Sequence, residues 1–297
     1  MKIVVENNGD RLDSFLISKV DMSRSKVQSM IKNGNIVVNG VTVKPSYIVK
    51  ANDIVEVEIV SDPIMSACGE KMDLDIVYED DDVIVVNKAN GIVVHPAVGN
   101  NSGTLVNGLV YHSDSLSSVN GEFRPGIVHR IDAYTTGLLM VAKNDKAHEF
   151  LAKQLEEKSI HRVYWALVWG VIPNDTGTID APIGRDSSNR KKMCVTGSNS
   201  KHAVTHFKVL ERYKSATLIE LKLETGRTHQ IRVHMDYIGY PIVNDPVYGR
   251  RKIIDNSGQC LHAKEIGFVH PTSLKRMFFT SELPECFVNI LNQFKEE

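Results

Sequence analysis

The sequence predicts an α+β protein with a small N-terminal module, a linker, and a larger domain built on a mostly antiparallel sheet. Two short helical segments and a hairpin signal fall within residues 1–60. Residues 61–72 contain Pro63, Ser66 and Gly69 with little periodicity, which is typical of a linker. From residue 73 to residue 297, strand-forming segments are interspersed with few helices. We therefore expect two folded parts, residues 1–60 and 73–297.

In the N-terminal module, residues 11–16 begin a short amphipathic helix, and the apolar spacing of residues 27–31 indicates a second one. Gly34 follows the second helix, at a position where a residue with positive φ commonly ends a helix.

The strands of the module are indicated by the dipeptide Asn39-Gly40, which lies between the apolar segments 36–38 and 41–43. Asn-Gly tolerates the positive φ angles of a tight turn, so the segments are expected to pair as a hairpin. Residues 54–59 alternate between apolar and polar side chains and predict a further strand.

In the larger domain, the apolar segments 83–86, 138–142 and 217–223 predict buried strands. Residues 145–158 predict a helix, because four apolar residues recur on one face: Ala147, Phe150, Leu151 and Leu155.

The composition excludes several classes of protein. Apolar residues make up 42% and charged residues 24% of the chain, as in a globular protein with a sizeable core. No apolar run approaches the ~20 residues that span a bilayer, and no secretion signal is recognisable, so we expect a cytoplasmic protein. The four cysteines lack the paired spacing of a zinc site or a disulfide framework. The net charge of −1 argues only mildly against nucleic-acid binding, because a local basic surface can contact phosphates.

Three segments place polar residues where a purely structural chain would not need them. In the first, His129–Gly137, Asp132 lies between the apolar segments 126–128 and 138–142. If both segments are strands, Asp132 lies in a rigidly held loop, a common position for a catalytic group. From physical chemistry alone, a structural aspartate in an Asx-turn is the favoured interpretation.

The second segment, 223–235, contains Thr228 as a plausible N-cap of a helix that Gly239 would end. Arg227 would lie beside the helix N-terminus, where an anionic partner is expected. His229 and His234 are five residues apart and point in different directions on a helix, so they do not form a metal-binding pair.

The third segment, 161–170, alternates like a strand and contains Tyr164 among apolar residues. An aromatic ring in such a strand usually belongs to the core, and its hydroxyl group needs a hydrogen-bond partner.

The N-terminal module resembles the S-four RNA-binding module, an α/β unit named after a small-subunit ribosomal protein. The resemblance rests on the following residues: Arg11-Leu12-Asp13, Ser23-Arg24-Ser25, Ile31, Gly34, Val37-Val38-Asn39-Gly40 and Asp53. It implies phosphate contacts by four basic residues: Arg24, Lys26, Lys32 and Lys44. The alternative is that these residues are ordinary solvated charges.

The whole chain resembles the RluA-type family of pseudouridine synthases, and most closely the members that modify large-subunit ribosomal RNA. Besides the three segments above, the resemblance rests on these motifs: Asn87 to Pro96, Gly103 to Asn107, Asp245-Pro246-Val247-Tyr248-Gly249, Leu261-His262-Ala263 and His270-Pro271. It implies a catalytic domain on a mostly antiparallel mixed sheet, isomerisation of uridine to pseudouridine in structured RNA, and no cofactor or metal. Ribosomal RNA is the favoured substrate, transfer RNA a possible one, and the protein is expected to act as a monomer.

The resemblance also implies roles for individual residues. Asp132 would be the catalytic aspartate, Tyr164 the aromatic residue that packs on the flipped base, and Arg227 the ion-pair partner of Asp132. A uridine in folded RNA must leave its stack before its glycosidic bond is accessible, and an aromatic ring can receive the freed base. The remaining substrate-binding candidates are His129, Arg130, Thr135, Thr136, Thr228, His229, Gln230 and Arg232.

The catalytic loop departs from the family pattern His-Arg-Leu-Asp-x-Asp-Thr-Ser-Gly at three positions. Ile131 and Thr136 preserve the character of the residues they replace, whereas Tyr134 replaces a carboxylate with an aromatic ring.

Two alternative functions are a non-catalytic RNA-binding or ribosome-assembly protein, and a hydrolase that uses Asp132 with His129 or His229. The combination of Asp132, Tyr164 and Arg227 argues against the first, and the lack of a Gly-x-Ser-x-Gly elbow against the second.

Overall fold

The computed structural model of the chain describes residues 1–17, 19–20, 22, 24–58, 67–97, 100–121, 124–189, 192–249 and 253–296. This description does not include Ser23, residues 61–66, or the side chains of Ser25 and Lys26. Contacts divide the chain into two units, Met1–Ile64 and Met65–Glu297.

Within its described residues, the N-terminal unit contains three short strands and two helices. In chain order they are β1 (Lys2–Val4), α1 (Leu12–Ile17), α2 (Arg24–Lys32), β2 (Ile36–Val38) and β3 (Ile54–Val57). The strands form an antiparallel sheet in the order β1-β3-β2. Helix residues Leu12, Leu16 and Ile31 are fully buried together with the strand residue Val55. Burial of each of these side chains removes apolar surface from water and stabilises the unit by roughly 1.5–3 kcal/mol.

The predicted hairpin is only partly correct. Asn39 and Gly40 have positive φ angles of 51° and 77°, and Val38 forms a bridge with Val41, so the tight turn is present. However, residues 41–43 do not form a strand, and β2 pairs with β3 instead. The Asn39 side chain explains this arrangement: its oxygen accepts the Ile54 N–H and its amide donates to Asp53, each at 2.8 Å, which holds the start of β3 beside the turn.

The larger unit consists of one large sheet, a small sheet and four helices within its described residues. The order is β4 (Ile76–Glu79), β5 (Val83–Lys88), α3 (Leu105–His112), β6 (Thr136–Ala142), α4 (Asp145–Glu156), β7 (His161–Trp169), β8 (Thr176–Asp180), β9 (Ile183–Arg185), β10 (Met193–Val195), β11 (Ser200–Lys201), β12 (Val204–Arg212), β13 (Ala216–Leu223), α5 (Gln230–Tyr237), β14 (Leu261–Val269), β15 (Arg276–Thr280) and α6 (Glu285–Lys295). The strands predicted near residues 83, 138 and 217 are β5, β6 and β13. The helix predicted for 145–158 is α4, which Asn144 caps by accepting the Ala147 N–H.

The described strands of the large sheet follow the order β4-β5-β6-β14-β7-β13-β12-β8, with β15 paired to β14. The pair β6·β14 is parallel, and the other described pairs are antiparallel, which confirms the predicted mostly antiparallel mixed sheet. Strand β14 lies between β6 and β7, although it comes later in the chain than both. The sheet has a buried apolar cluster on each face, so its central strands have apolar residues at nearly every position.

Gly137 allows the close approach of β6 and β14. Its φ is +105°, and a Cβ atom at this position would overlap the backbone of Ala263, with which it is paired. A side chain would therefore force the two strands apart.

The predicted strand at 126–128 is wrong. Residues 124–126 form a turn, and the segment contributes one isolated bridge, Ile127 to Val141. Apolar character here reflects burial of Ile127 and not membership of the sheet. The loop that contains Asp132 is therefore held directly by one strand, β6, and by the side-chain contacts described below. Among the described residues, no helix has the length and apolar character needed to cross a membrane.

Candidate active site

A cleft of about 530 Å³ opens in the larger unit. Its walls come from the loop 128–135 before β6, from β7, and from the segment 223–232 that leads into α5. All three polar segments identified in the sequence therefore meet at one place.

Asp132 lies in this cleft, in a chain of charges that ends in the protein interior. Arg232 Nη1 donates to Asp132 Oδ2 at 2.8 Å. The same guanidinium donates from Nε and Nη2 to the two carboxylate oxygens of Asp245, at 2.7 and 2.9 Å. Asp245 is fully buried and Arg232 nearly so, whereas 19% of the Asp132 side chain is exposed. Arg232 therefore fixes one oxygen of Asp132 and leaves Oδ1 directed away from the ion pair.

Asp245 is itself held by the backbone. Its Oδ1 accepts the N–H groups of Val247 and Tyr248 at 2.8 and 3.0 Å. Burial raises the pKa of Asp245, but the hydrogen bonds and charge of Arg232, together with the backbone N–H groups, outweigh burial. The pKa of Asp245 therefore lies below its ordinary value. The Tyr248 ring lies against the guanidinium of Arg232, 5.0 Å from its carbon to the ring centroid. Arg232 is thereby fixed in position before any substrate binds.

Arg227 does not form the ion pair that was predicted for it. Its Nε donates to the backbone oxygen of His202 at 2.9 Å, and the partner of Asp132 is Arg232. The cause is the start of the helix. Thr228 was predicted to be the N-cap, but α5 begins at Gln230, after His229 adopts a left-handed backbone with φ 56°. Arg227 therefore precedes the helix, whereas Arg232 lies in its first turn.

Gln230 was predicted to bind substrate, but the protein satisfies its side-chain amide. Its oxygen accepts from Thr225 Oγ1 at 2.8 Å and from the Arg227 N–H at 3.0 Å, and its nitrogen donates to β12. Gln230 thus fastens the segment 225–227 to the sheet and shapes the cleft from within.

Tyr164 projects from β7 into the cleft wall. Its side chain is 6% exposed, and burial raises the pKa of its hydroxyl group. Strand β7 is paired on both sides, with β13 and β14, so the ring has a rigid support. Asp132 and Tyr164 thus face the same cavity from different parts of the chain.

The loop of Asp132 is anchored by a buried lysine that the sequence analysis did not identify as a site residue. Lys88 Nζ donates to the backbone oxygens of Ala133, Ala89 and Ile92, at 2.7, 2.8 and 2.9 Å. Three acceptors match the three N–H groups of an ammonium ion, although burial lowers the pKa of Lys88 to about 7. The only signal in the sequence is a lysine at the end of an apolar strand.

The two threonines of the loop are buried and form internal hydrogen bonds. Thr135 Oγ1 accepts from Gln259, and Thr136 Oγ1 lies 2.8 Å from His262 Nδ1. They were predicted to bind substrate, and their contacts instead join the loop to β14 and to the segment before it. Arg130 is exposed, with Nη1 3.5 Å from His95 Nε2, and Thr228 is exposed at the cleft rim.

Two histidines line the cleft. His129 Nε2 accepts the Met140 N–H at 3.1 Å, so the ring is neutral with its proton on Nδ1. His229 Nδ1 is 2.8 Å from the Tyr248 hydroxyl, and its Nε2 is 3.8 Å from Asp132 Oδ1. Burial lowers the pKa of both rings, that of His129 to about 3. The hydrolase interpretation loses His129 as a base, because its acceptor nitrogen is already occupied.

Tyr134, the departure from the family pattern, is 42% exposed and packs over Gly258, where a Cβ atom would overlap the tyrosine ring. Its ring is not part of the cleft that holds Asp132. In the described residues, no group of three or more His, Cys, Asp or Glu side chains has an arrangement that could hold a metal ion.

In the N-terminal unit, the predicted phosphate contacts have different environments. Lys32 and Lys44 line a shallow groove together with Arg11. Arg24 forms an ion pair with the buried Asp13 at 3.3 Å, although its side chain is 54% exposed. The Lys26 side chain lies outside the described residues.

Comparison with known proteins identifies the family. Residues 82–237 match the model of the RNA pseudouridylate synthases, and residues 10–55 match the S4 domain. A Bacillus subtilis protein, "Uncharacterized RNA pseudouridine synthase YlyB", is 53% identical over 98% of this chain and 96% of its own. The "Ribosomal large subunit pseudouridine synthase D" of Pseudomonas aeruginosa is 42% identical over 100% of this chain and 95% of its own.

A solved structure, "Human RNA Pseudouridylate Synthase Domain Containing 1", superposes with a TM-score of 0.59 at 26% identity, covering 77% of this chain and 97% of that one. The predicted resemblance, including the N-terminal S-four module, is thereby confirmed. The protein is an enzyme of the isomerase class, and the chain belongs to the family of RNA pseudouridylate synthases.

Proposed function

We propose that the enzyme isomerises uridines of large-subunit ribosomal RNA in the cytoplasm, and that it does so by flipping the target base into the cleft of Asp132. The observation that supports this most directly is the pairing of Asp132 with Arg232 in a cavity that Tyr164 also lines. The ribosomal substrate is suggested by relatives named "Ribosomal large subunit pseudouridine synthase D", which are 42% and 45% identical to this chain.

The geometry suggests a separate role for Arg232 and for Asp132. Arg232 holds Asp132 Oδ2, so Oδ1 is the oxygen available to the nucleotide. The Arg232 cation offsets part of the cost of keeping a negative carboxylate in a partly enclosed cavity. The exposed part of Asp132 faces the space that an extruded nucleotide would occupy.

Tyr164 offers the face on which the freed uracil packs. Base stacking on an aromatic ring contributes ~1–3 kcal/mol, enough to hold the base while it turns relative to the ribose. Because the ring is buried on a doubly paired strand, it loses little conformational freedom when the base arrives.

In the N-terminal unit, we propose that Lys32 and Lys44 contact RNA phosphates from their shared groove. Removal of residues 1–60 should then weaken binding of the RNA and reduce the salt dependence of that binding, because fewer counterions are released. An affinity that stays unchanged at matched salt would contradict this role.

The decisive experiment maps pseudouridines in ribosomal and transfer RNA from cells that lack the gene. The cells are complemented with the wild type, with Asp132→Asn, or with Asp175→Asn, a control in which the aspartate is 84% exposed. We expect particular large-subunit sites to vanish and to return with the wild type and Asp175→Asn, but not with Asp132→Asn. Sites that vanish only from transfer RNA would refute the ribosomal substrate, and rescue by Asp132→Asn would refute the catalytic role.

A further inference from the structure

Arg162 lies in the cleft wall two residues before Tyr164 on β7. Alternate residues of a strand point to the same face, so the two side chains lie about 6.6 Å apart along the strand. The guanidinium runs beside the backbone of Gly226, in the segment that follows the neighbouring strand β13, and a Cβ atom there would lie 3.5 Å from Arg162 Nη1. Arg162 therefore lies in the cleft wall next to the ring on which the base is proposed to stack.

Arg162 is half-buried and lacks a counter-charge. Among the described residues it forms no ion pair with a carboxylate, and its Nε is buried without a hydrogen-bond partner. Arg130 lines the same cleft but is exposed to water, whereas the three remaining cations of the cleft wall have acceptors within the protein. Arg232 bridges two aspartates, Lys158 is 3.0 Å from Glu224, and Arg227 donates to a backbone oxygen. A buried donor without an acceptor is unfavourable, and more so when it carries a charge.

A second unpartnered donor lies close by. The Met140 N–H occupies Nε2 of His129, so the ring proton is on Nδ1, and this nitrogen is buried with no acceptor. The charge of Arg162 is near enough to contribute to the lowered pKa of His129, after the larger effect of burial. Two neighbouring donors, one of them cationic, thus lack an acceptor among the residues that the structure describes.

We propose that Arg162 binds the backbone phosphate of the flipped uridine, with the neutral His129 beside it. Guanidinium groups bind phosphate oxygens through paired hydrogen bonds. The negative charge of a phosphate would be the counter-charge that Arg162 lacks. The spacing along β7 suits a nucleotide whose base lies on Tyr164, because a base and its own phosphate are separated by a comparable distance. The inference rests on the proposed function, since it takes the substrate to be an RNA strand that enters this cleft.

The test measures how binding depends on salt. Each phosphate contact in a single-stranded segment adds about 0.7 to the slope of log K against log [salt], and a contact in a duplex about 0.9. Affinity for a large-subunit ribosomal RNA transcript is measured by filter retention across a series of KCl concentrations. The proteins are the wild type, Arg162→Gln, Arg162→Lys and Lys158→Gln. Lys158 is the matched control, because it lines the same cleft but is already paired with Glu224.

We expect Arg162→Gln to weaken binding and to make the slope shallower by about 0.7–0.9, whereas Arg162→Lys and Lys158→Gln keep the wild-type slope. An unchanged slope in Arg162→Gln overturns the proposal, even if turnover falls. An equal change in Lys158→Gln also overturns it, because the effect would then reflect total charge. If Arg162→Gln does not fold, as judged by thermal unfolding, Arg162→Met decides by the same criterion.

Turnover of the same transcript by the wild type is measured in parallel. Absence of turnover would contradict the ribosomal substrate, whereas the slope comparison judges Arg162 on the RNA that the wild type binds. The two failures are therefore distinguishable.

Discussion

Replacing Arg227 and replacing Arg232 should have very different effects, although the two residues are only five positions apart. Arg232→Gln removes the hydrogen bond of 2.8 Å to Asp132 Oδ2. A hydrogen bond between charged groups contributes about 1.5–3 kcal/mol, and 1.36 kcal/mol corresponds to a factor of ten in rate. Loss of this contact alone should therefore lower kcat/KM roughly ten- to 150-fold. Arg227→Gln removes a hydrogen bond of 2.9 Å to the backbone oxygen of His202 and leaves the ion pair of Asp132 intact, so its effect on kcat/KM should be smaller.

Stability has to be separated from activity in this comparison. Arg232→Gln leaves the fully buried Asp245 without its cation, and breaking a buried ion pair commonly costs 3–5 kcal/mol of folding free energy. The double variant Arg232→Gln/Asp245→Asn removes the stranded charge and should regain stability without regaining activity.

The assay is pseudouridine formation on a substrate transcript under single-turnover conditions, with thermal unfolding of each variant as the control. Equal loss of activity in Arg227→Gln and Arg232→Gln would refute the reasoning. So would near-wild-type turnover of Arg232→Gln.

Three further predictions concern stability. Lys88→Met should lower the free energy of unfolding by about 2–4 kcal/mol, because the backbone oxygen of Ala133 and two others lose their donor; a melting temperature equal to that of the wild type would contradict this. Gly137→Ala should cost at least about 2 kcal/mol in urea unfolding, since its Cβ would meet the Ala263 backbone at a positive φ, and a cost below about 0.5 kcal/mol would exclude that overlap. Asp13→Asn should remove a pH dependence of the N-terminal unit. A hydrogen bond from an arginine lowers the pKa of the Asp13 carboxyl group from 3.8, so its stabilisation is present above that value and is lost as pH falls through the folded-state pKa. Between pH 2 and pH 6, the melting temperature should thus fall more steeply with decreasing pH in the wild type than in the variant. Parallel plots of melting temperature against pH would rule the effect out.

The sequence located Asp132 and Tyr164 through its resemblance to a known family, because the local patterns alone favour a structural aspartate in an Asx-turn and a core tyrosine. It was not sufficient to choose between Arg227 and Arg232. That choice depends on where α5 begins, and the N-cap is His229, with a left-handed backbone, one residue after the expected cap Thr228. A shift of this size changes the direction of every side chain in the first turn, and element ends are the least certain part of a sequence-based interpretation.

The role of Lys88 was missed for a different reason. Its acceptor Ala133 is 45 residues away, and no local pattern connects the two. The same holds for the pairing of Gly137 with Ala263, which brings the end of the catalytic loop beside a strand encoded much later. Contacts of this kind are set by the whole sheet, so they became visible only in the structure.

The position of β14 has a consequence for how the enzyme comes into being. Strands β4, β5 and β6 form one half of the large sheet, β7, β13, β12 and β8 form the other, and β14 joins them. Asp132 lies in the loop just before β6 of the first half, whereas Tyr164 lies on β7 of the second. During synthesis, a chain that has emerged only as far as Tyr237 already contains both residues and Arg232, yet it lacks the strand that sets their separation. Catalytic competence should therefore require that the segment up to Val269 has left the ribosome, because β14 pairs with both β6 and β7.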